Sequence, residues 1–331
     1  MKRISAVRRR LLAAGAALPT LVFAQSTPPF PSKPIRILVG FQPGGTSDTA
    51  ARLIAAHMTK LAGQPVLVEN RTGAGGIIAA TAVAKAPPDG HMLLLGVPFP
   101  VVAAQALYRS LPYDPNRDFA FVTPIVAGQV LFGVARSVPA ANLKEFIEYA
   151  RRTPGVALGS WAQGSQGHLA VEVINKHYGL TIPHVAYKGE GPMTQDIIGG
   201  HIAGGFGGFA SMIGPVQSGH MRVIAVTSGP RGNRMPLLPE VLTFAEQGLN
   251  EPMVTLSGWQ GVLTTGGTPR PVVAKLNEWI RSALAQAEVR SKLESYGLEI
   301  ISSTPEEFDS RFRTETPLWV KAINDTGVKM D

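Results

Sequence analysis

Three glycine-rich stretches hold the residues whose types and spacing suit chemistry. They are Phe41-Gln42-Pro43-Gly44-Gly45-Thr46-Ser47-Asp48, Arg71-Thr72-Gly73-Ala74-Gly75-Gly76 and Trp161-Ala162-Gln163-Gly164-Ser165-Gln166-Gly167. Glycine lets backbone N–H groups approach a ligand without interference from a Cβ. Where such a loop opens a helix, unpaired N–H donors and the positive end of the helix dipole favour an anion. The first stretch alone reads equally well as a strand–helix turn without a ligand; its repetition favours the anion. Patterns for catalysis are missing. There is no Gly-x-Ser-x-Gly elbow, no loop ends in Gly-Lys-Ser/Thr, and Gly73–Gly76 lacks the full dinucleotide fingerprint. The seven histidines include no His-Glu-x-x-His pattern. His168 and His177 have no companion ligand nearby, so neither a metal nor a cofactor is expected. With no cysteine, thiolate chemistry and disulfides are removed. Asp48, Ser165 and His168 are the residue types of a hydrolytic triad, but nothing in their spacing brings them together.

Each loop needs a strand behind it and a helix ahead of it. Ile35, Ile37, Leu38 and Val39 predict a strand covered on both faces. Ala50, Leu53, Ile54, Met58 and Leu61 predict a helix that ends near Gly63, with Thr46, Ser47 or Asp48 as its cap. Val66–Asn70 and Met92–Val97 read as the next strands, with a helix from Ile77 to Ala84 between them. Two extended runs, Phe119–Ile125 and Gln129–Val134, lead into a second unit. There Asn142 caps a helix, Val156–Ser160 forms a strand, and the third loop opens a helix carrying Leu169, Val173 and Ile174. Strands near 182–187, 201–209 and 223–227 complete this unit, and residues 228–252, rich in Gly and Pro, read as a connection. Thr304-Pro305-Glu306-Glu307 opens a C-terminal helix. The alternation predicts α/β architecture with doubly wound, mixed or parallel sheets.

Composition sets the class. A chain of 331 residues is long enough for about two domains. At 45% apolar and 16% charged residues it reads as globular. Lys2, Arg3, Arg8, Arg9 and Arg10 precede an apolar run from Leu11 to Phe23 and a small residue, Ala24. This is the pattern of a secretory signal peptide cut near Ala24, placing the mature chain in the periplasm; the adjacent arginines leave twin-arginine export open beside the general route. The run is short for a membrane-spanning helix. Without those five residues, 26 of the 31 basic side chains remain against 23 acidic ones, so the net charge falls from +8 to +3. The basic character belongs largely to the leader and gives no support to nucleic-acid binding. Residues 25–34 read as a Pro-rich lead-in, mobile until Ile35.

The chain resembles the periplasmic solute receptors of tripartite tricarboxylate transporters, also called Bug-type receptors. The likeness covers nearly the whole mature chain. It rests on the first two loops with their flanks, on Ala84-Lys85-Ala86-Pro87-Pro88-Asp89-Gly90, on Gly164-Ser165-Gln166-Gly167-His168-Leu169-Ala170, on Ala186-Tyr187-Lys188-Gly189 and on Ala225-Val226-Thr227-Ser228. The resemblance implies a two-lobe, type II (Venus-flytrap) binding protein. Lobe 1 would comprise 25–127 and 228–331, and lobe 2 would comprise 128–227. A monomer would hold a small carboxylate between its lobes and deliver it, chemically unchanged, to a membrane permease with one large and one small subunit. By position the resemblance carries binding roles onto Phe41, Gly44, Gly45, Thr46 and Asp48, onto Gly73, Ala74, Gly75 and Gly76 beside them, and onto Ser160, Trp161, Ser165 and Tyr187 from the second lobe.

The residue types weigh these roles differently. Asp48 suits a helix cap better than contact with an anion, and His168 lies within a helical pattern. Lys188 could neutralise a carboxylate, although turn lysines are usually solvated. Trp161 sits in a polar loop, where stacking on a ligand and packing are equally open. Where many relatives carry an Asp-Asn pair, the strand here reads Gly205-Phe206-Gly207-Gly208-Phe209. The expected ligand is therefore a carboxylate without an amino group, aromatic groups included, walled by Phe99, Trp161, Phe206 and Phe209 and bordering Gly207. Two other classes stay in view: a sensory binding protein that serves a signalling receptor, and a secreted hydrolase or isomerase on the same scaffold.

Overall fold

The computed structural model describes residues 29–330; the expected signal peptide and its cleavage site lie outside them. The lead-in is fixed earlier than the sequence predicts. Phe30 stacks on Trp279 at 5.9 Å and meets His91 edge-on at 4.9 Å, and Lys33 pairs with Asp89 at 2.8 Å. Aromatic contact area overcomes the mobility expected of a Pro-rich approach.

The first unit runs β1 (Ile35–Val39), α1 (Thr46–Ala62), β2 (Val66–Asn70), α2 (Ile77–Ala84), β3 (Met92–Gly96), α3 (Ala104–Leu107) and β4 (Phe119–Gly128). The chain then crosses to β5 (Leu131–Ala135), α4 (Leu143–Arg152), β6 (Leu158–Ser160), α5 (Gln166–Tyr178), β7 (His184–Ala186), α6 (Glu190–Ile198), β8 (Gly204–Gly207), α7 (Phe209–Gln217) and β9 (Met221–Val226). It returns through α8 (Pro252–Thr255) to β10 (Gly258–Thr265), α9 (Arg270–Ala285), α10 (Ala287–Glu294), β11 (Leu298–Ile300) and α11 (Pro305–Thr326).

Two sheets result, of six and five strands, ordered β11-β4-β10-β3-β1-β2 and β7-β6-β8-β5-β9. Strands β1, β2 and β3 pair in parallel, as do β6, β7 and β8. The strands beside them, β10 and β5, run antiparallel to β3 and β8 respectively. The sheets are thus mixed, and they share one plan: an edge strand, the first strand of a βαβαβ unit, its third strand, then an antiparallel neighbour. In both, the loop after the first strand (β1 or β6) opens a helix at the C-terminal edge of the parallel strands, where open α/β sheets take their ligands.

The core explains why the lobes stay together. One cluster covers a single face of the first sheet, with Ile54 and Met58 of α1 and Leu276 and Ile280 of α9. The other runs from the opposite face through Leu107 and through Phe308, Phe312 and Trp319 of α11 into the second sheet, where Phe132, Phe146 and Phe206 lie. Helix α11 starts as its sequence predicts: Thr304 and Glu307 form a reciprocal capping box, with Pro305 next. The stretch after β9 folds back onto the second sheet. Phe244 is fully buried and stacks on Phe132 at 6.2 Å, and its N–H bonds Val226 O at 2.9 Å. By packing, this part of the return connection belongs with the second sheet, because a buried aromatic holds it there.

Candidate ligand-binding site

The first-sheet loop begins at Gly40, which passes so close to the second loop that a Cβ would lie 2.6 Å from Gly76 Cα. Gly45 occupies the N-cap of α1 with no side-chain cap. The expected cap, Asp48, reaches back instead: its Oδ2 accepts the Gly44 N–H at 2.9 Å, and Arg52 Nε donates to the same oxygen at 2.9 Å. Asn70 Nδ2 donates to Asp48 Oδ1 at 2.9 Å and to Phe41 O at 3.0 Å, tying the loop to the end of β2. Burial alone would raise the Asp48 carboxyl; Arg52, Gly44 and Asn70 outweigh it and hold the group below its ordinary range. Asp48 therefore shapes the loop from beneath. Gly44 and Gly45 are exposed and Thr46 is half-buried.

The second loop is a left-handed turn. Gly73, Ala74, Gly75 and Gly76 all have positive φ, Ala74 at 46° being the exception among non-glycine residues described. Phe99, at the start of a π-helical turn after β3, lies against this loop: a Cβ on Gly75 would overlap its ring. The other edge of that ring reaches the second-sheet loop, where a Cβ on Gly164 would sit 2.6 Å from Phe99 Cε2, 2.7 Å from Met330 Sδ and 3.1 Å from Leu107 Cδ1. The half-buried Phe99 thus wedges between two glycine loops belonging to different sheets.

The second-sheet loop repeats the first loop's plan with other chemistry. Gly164 N–H donates to His168 Nδ1 at 3.0 Å, four residues on, as Gly44 does to Asp48. Ser165 caps α5 by accepting the His168 N–H at 3.2 Å. Ser160 Oγ lies 2.8 Å from Ser165 Oγ and 2.7 Å from His184 Nε2, and donates to Ala162 O at 3.0 Å. With that proton directed to Ala162, Ser160 accepts from the other two, which assigns Nε2–H to His184. His168, accepting at Nδ1, is neutral and turns Nε2–H toward Glu172 Oε1, 3.7 Å away. The two imidazoles stack at 4.0 Å. Burial lowers the pKa of His168; burial and then the neighbouring His168 push His184 down to about 3.

This network decides several expectations. Ser160 and Ser165 are buried, with their hydroxyls engaged inside the lobe, so they shape the loop and do not present themselves to a cleft. The triad types are not assembled: the His168 ring bonds Gly164, the Ser165 hydroxyl bonds Ser160, and Asp48 serves the other lobe. In the Ser–His contact of this loop, His184 donates to Ser160 and so does not serve as its base. Tyr187 donates its hydroxyl to Asp196 Oδ2 at 2.6 Å, which leaves its oxygen as an acceptor only. Phe206 is fully buried and stacks on Phe132 at 4.8 Å, and Gly207 is buried beside Met212, so neither walls a cleft. Phe209 is buried too and packs against Gly297. Phe206 completes the second sheet's packing and Phe209 closes against the first unit, because an apolar ring gains more from burial than from a wet groove. Trp161 remains half-buried, and its carbonyl accepts the Gly189 N–H at 3.0 Å. Lys188 is exposed.

One residue escapes sequence reasoning. Glu190, first in α6, accepts the Gly208 N–H with Oε1 at 2.9 Å, at the start of α7. The acid that the strand itself lacks is brought to its end by α6. Burial raises the Glu190 carboxyl, and Ser211 and Gly208 offset part of the rise. The available signal was an acid within Gly189-Glu190-Gly191-Pro192, which reads as an ordinary helix start.

Among the described residues no three His, Asp or Glu side chains are grouped to hold a metal, and no helix is long and apolar enough to cross a membrane. Surface depressions of about 530 and 430 Å³ are lined by α11 and by α9 with its neighbours, and neither includes a glycine-loop residue. The loops mark the candidate site.

Comparison with known proteins points the same way. The profile of the Tripartite tricarboxylate transporter family receptor matches residues 50–326. Protein BugT of Bordetella pertussis is 32% identical over 333 residues, covering 100% of this chain and 99% of that protein. An R. palustris protein solved with adipate superposes with a TM-score of 0.82 at 32% identity, over 91% of this chain and 99% of its own. MatC from Rhodopseudomonas palustris with bound malate gives 0.79 at 32% identity, over 89% and 100%.

Proposed function

Because the chain belongs to the tripartite tricarboxylate transporter receptor family of periplasmic solute-binding proteins, we propose that it holds a small carboxylate between its lobes and delivers it to a membrane permease with a large and a small subunit. The observation that carries this reading is the repetition of one loop plan in both sheets, with Phe99 wedged between the adjoining Gly73–Gly76 loop and the Gly164 loop. Gly44–Thr46 opens α1 and Gly164–Gln166 opens α5, each at the C-terminal edge of its sheet. Helix starts suit an anion, and closing water out strengthens its hydrogen bonds. Relatives solved with adipate and malate support the ligand class. Phe99 and Trp161, both half-buried, are the aromatic side chains placed to border the ligand's body. We further propose export to the periplasm with cleavage near Ala24, a monomeric receptor, and lobes that follow sheet membership, with the 228–251 connection packed on the second.

A thermal-shift screen of the purified mature protein against mono-, di- and tricarboxylates and aromatic acids tests this. A ligand at about 100 times its dissociation constant should stabilise by about 2.7 kcal/mol. Gly45→Leu supplies the paired control. A Cβ there meets only Gln42 O at 3.7 Å, so the fold should hold while affinity for every carboxylate falls by about tenfold or more. No shift with any carboxylate, or unchanged affinity in Gly45→Leu, overturns the reading.

A further inference from the structure

The C-terminal edge of the second sheet carries three helix starts, those of α5, α6 and α7 after the parallel strands β6, β7 and β8, and Glu190 opens α6 itself. That of α5 lies beneath the Gly164 loop. That of α7, after β8, is already filled: Gly208 is its N-cap without a side-chain cap of its own, and Glu190 Oε1 accepts the Gly208 N–H. Ser211 Oγ donates to Gly208 O at 2.8 Å, closing the turn around the same carboxyl. Glu190 is tied to the candidate site through its own loop, since Gly189 N–H bonds Trp161 O and Tyr187 N–H bonds Ser160 O at 2.9 Å. The nearby Lys188 is exposed. The protein has therefore placed an acid where a helix start would otherwise attract a ligand's anion.

We propose that Glu190 sets the ligand class of this receptor: the cleft takes a carboxylate at the loop pair and, at the α6–α7 end, a hydrogen-bond donor such as a hydroxyl or ammonium in place of a second carboxylate. This rests on the receptor reading above and narrows it. A second carboxylate would face Glu190 with like charge, whereas a donor would bond the carboxyl oxygen that Gly208 leaves free.

Isothermal titration of the mature protein decides it, with succinate, glutarate and adipate set against the ω-hydroxy and ω-amino monocarboxylates of the same lengths. The wild type should bind its best donor-ended acid at least about tenfold more tightly than the matched diacid. In Glu190→Gln, whose amide oxygen still accepts from Gly208, the diacid should gain at least about tenfold and the ω-hydroxy acid should change by less than about threefold. The ligand-free melting midpoint shows whether the variant is folded; should it fail to fold, the wild-type ranking alone decides. A diacid bound as tightly as its donor-ended partner by the wild type, or both series shifting together in Glu190→Gln, overturns this proposal and leaves the receptor standing. Binding of neither series overturns the receptor reading and this proposal with it.

Discussion

Asp48 and His168 do one job in two chemistries. Each lies four residues beyond a loop glycine and accepts its N–H from below. The carboxylate is balanced by Arg52, while the imidazole is kept neutral by burial beside a second imidazole. The difference sets the response to acid. Asp48 titrates below its ordinary 3.8, so its contribution to stability is present above that value and is lost only as pH falls through the lowered pKa. The histidines titrate below 6.5 when folded, so between pH 6.5 and about 3 the unfolded chain binds protons that the folded chain refuses. Stability should therefore fall as pH drops from 6.5 toward 4, before Asp48 contributes. Melting midpoints across that range check it. His184→Gln, which can still donate to Ser160, should flatten the slope; a wild-type midpoint unchanged between pH 7 and 4.5 would contradict the two-neutral-ring assignment.

At the scale of elements, the two βαβαβ units place equivalent loops at equivalent sheet edges, and close backbone approach holds each loop in register. Gly40 shows the constraint best, because the atom a Cβ would meet is the Gly76 backbone, which cannot rotate away as a side chain can. Gly40→Ala should cost about 1–3 kcal/mol, read as a lower urea midpoint with unchanged slope, and should displace the second loop. Gly45→Leu, five residues on in the same connection, should leave stability nearly untouched. Equal stability of Gly40→Ala and the wild type would mean that the two loops do not pack as described.

For the whole molecule the wedge matters most. Phe99 touches the glycine loops of both sheets, and the C-terminal Met330, bonded through its N–H to Leu107 O at 2.8 Å, backs the same contact. At the other end Phe209 of the second sheet meets Gly297 of the first, near an Arg231–Glu299 ion pair at 3.0 Å. Packed contacts between two units switch between discrete arrangements and do not deform continuously. Phe99→Ala should loosen the pair: the radius of gyration of the ligand-free protein, read by small-angle scattering, should rise, and carboxylate affinity should fall by about tenfold or more. An unchanged radius and affinity would remove Phe99 from the closure mechanism.

The sequence by itself determined the local devices. Hydrophobic run lengths set the strands, the caps at Asn142 and Thr304 were legible to the residue, and the three glycine loops stood out because glycine and proline write turn geometry directly into the chain. It predicted Asp48 as a helix cap, whereas the structure leaves α1 without a side-chain cap and turns that carboxylate back to the Gly44 N–H. Tertiary structure alone decided which side chains reach a cleft. Phe206, which as a lone aromatic in a glycine-rich strand reads as a ligand wall, is claimed by the stack of Phe132 and Phe244, whose partners are 74 and 38 residues distant along the chain. Glu190 is the converse, an ordinary helix-start acid until β8 and α7 are folded against it. Periodicity reports which face of an element is apolar; it carries no information about which distant element will cover that face, and that pairing assigns an aromatic to the core and an acid to the site.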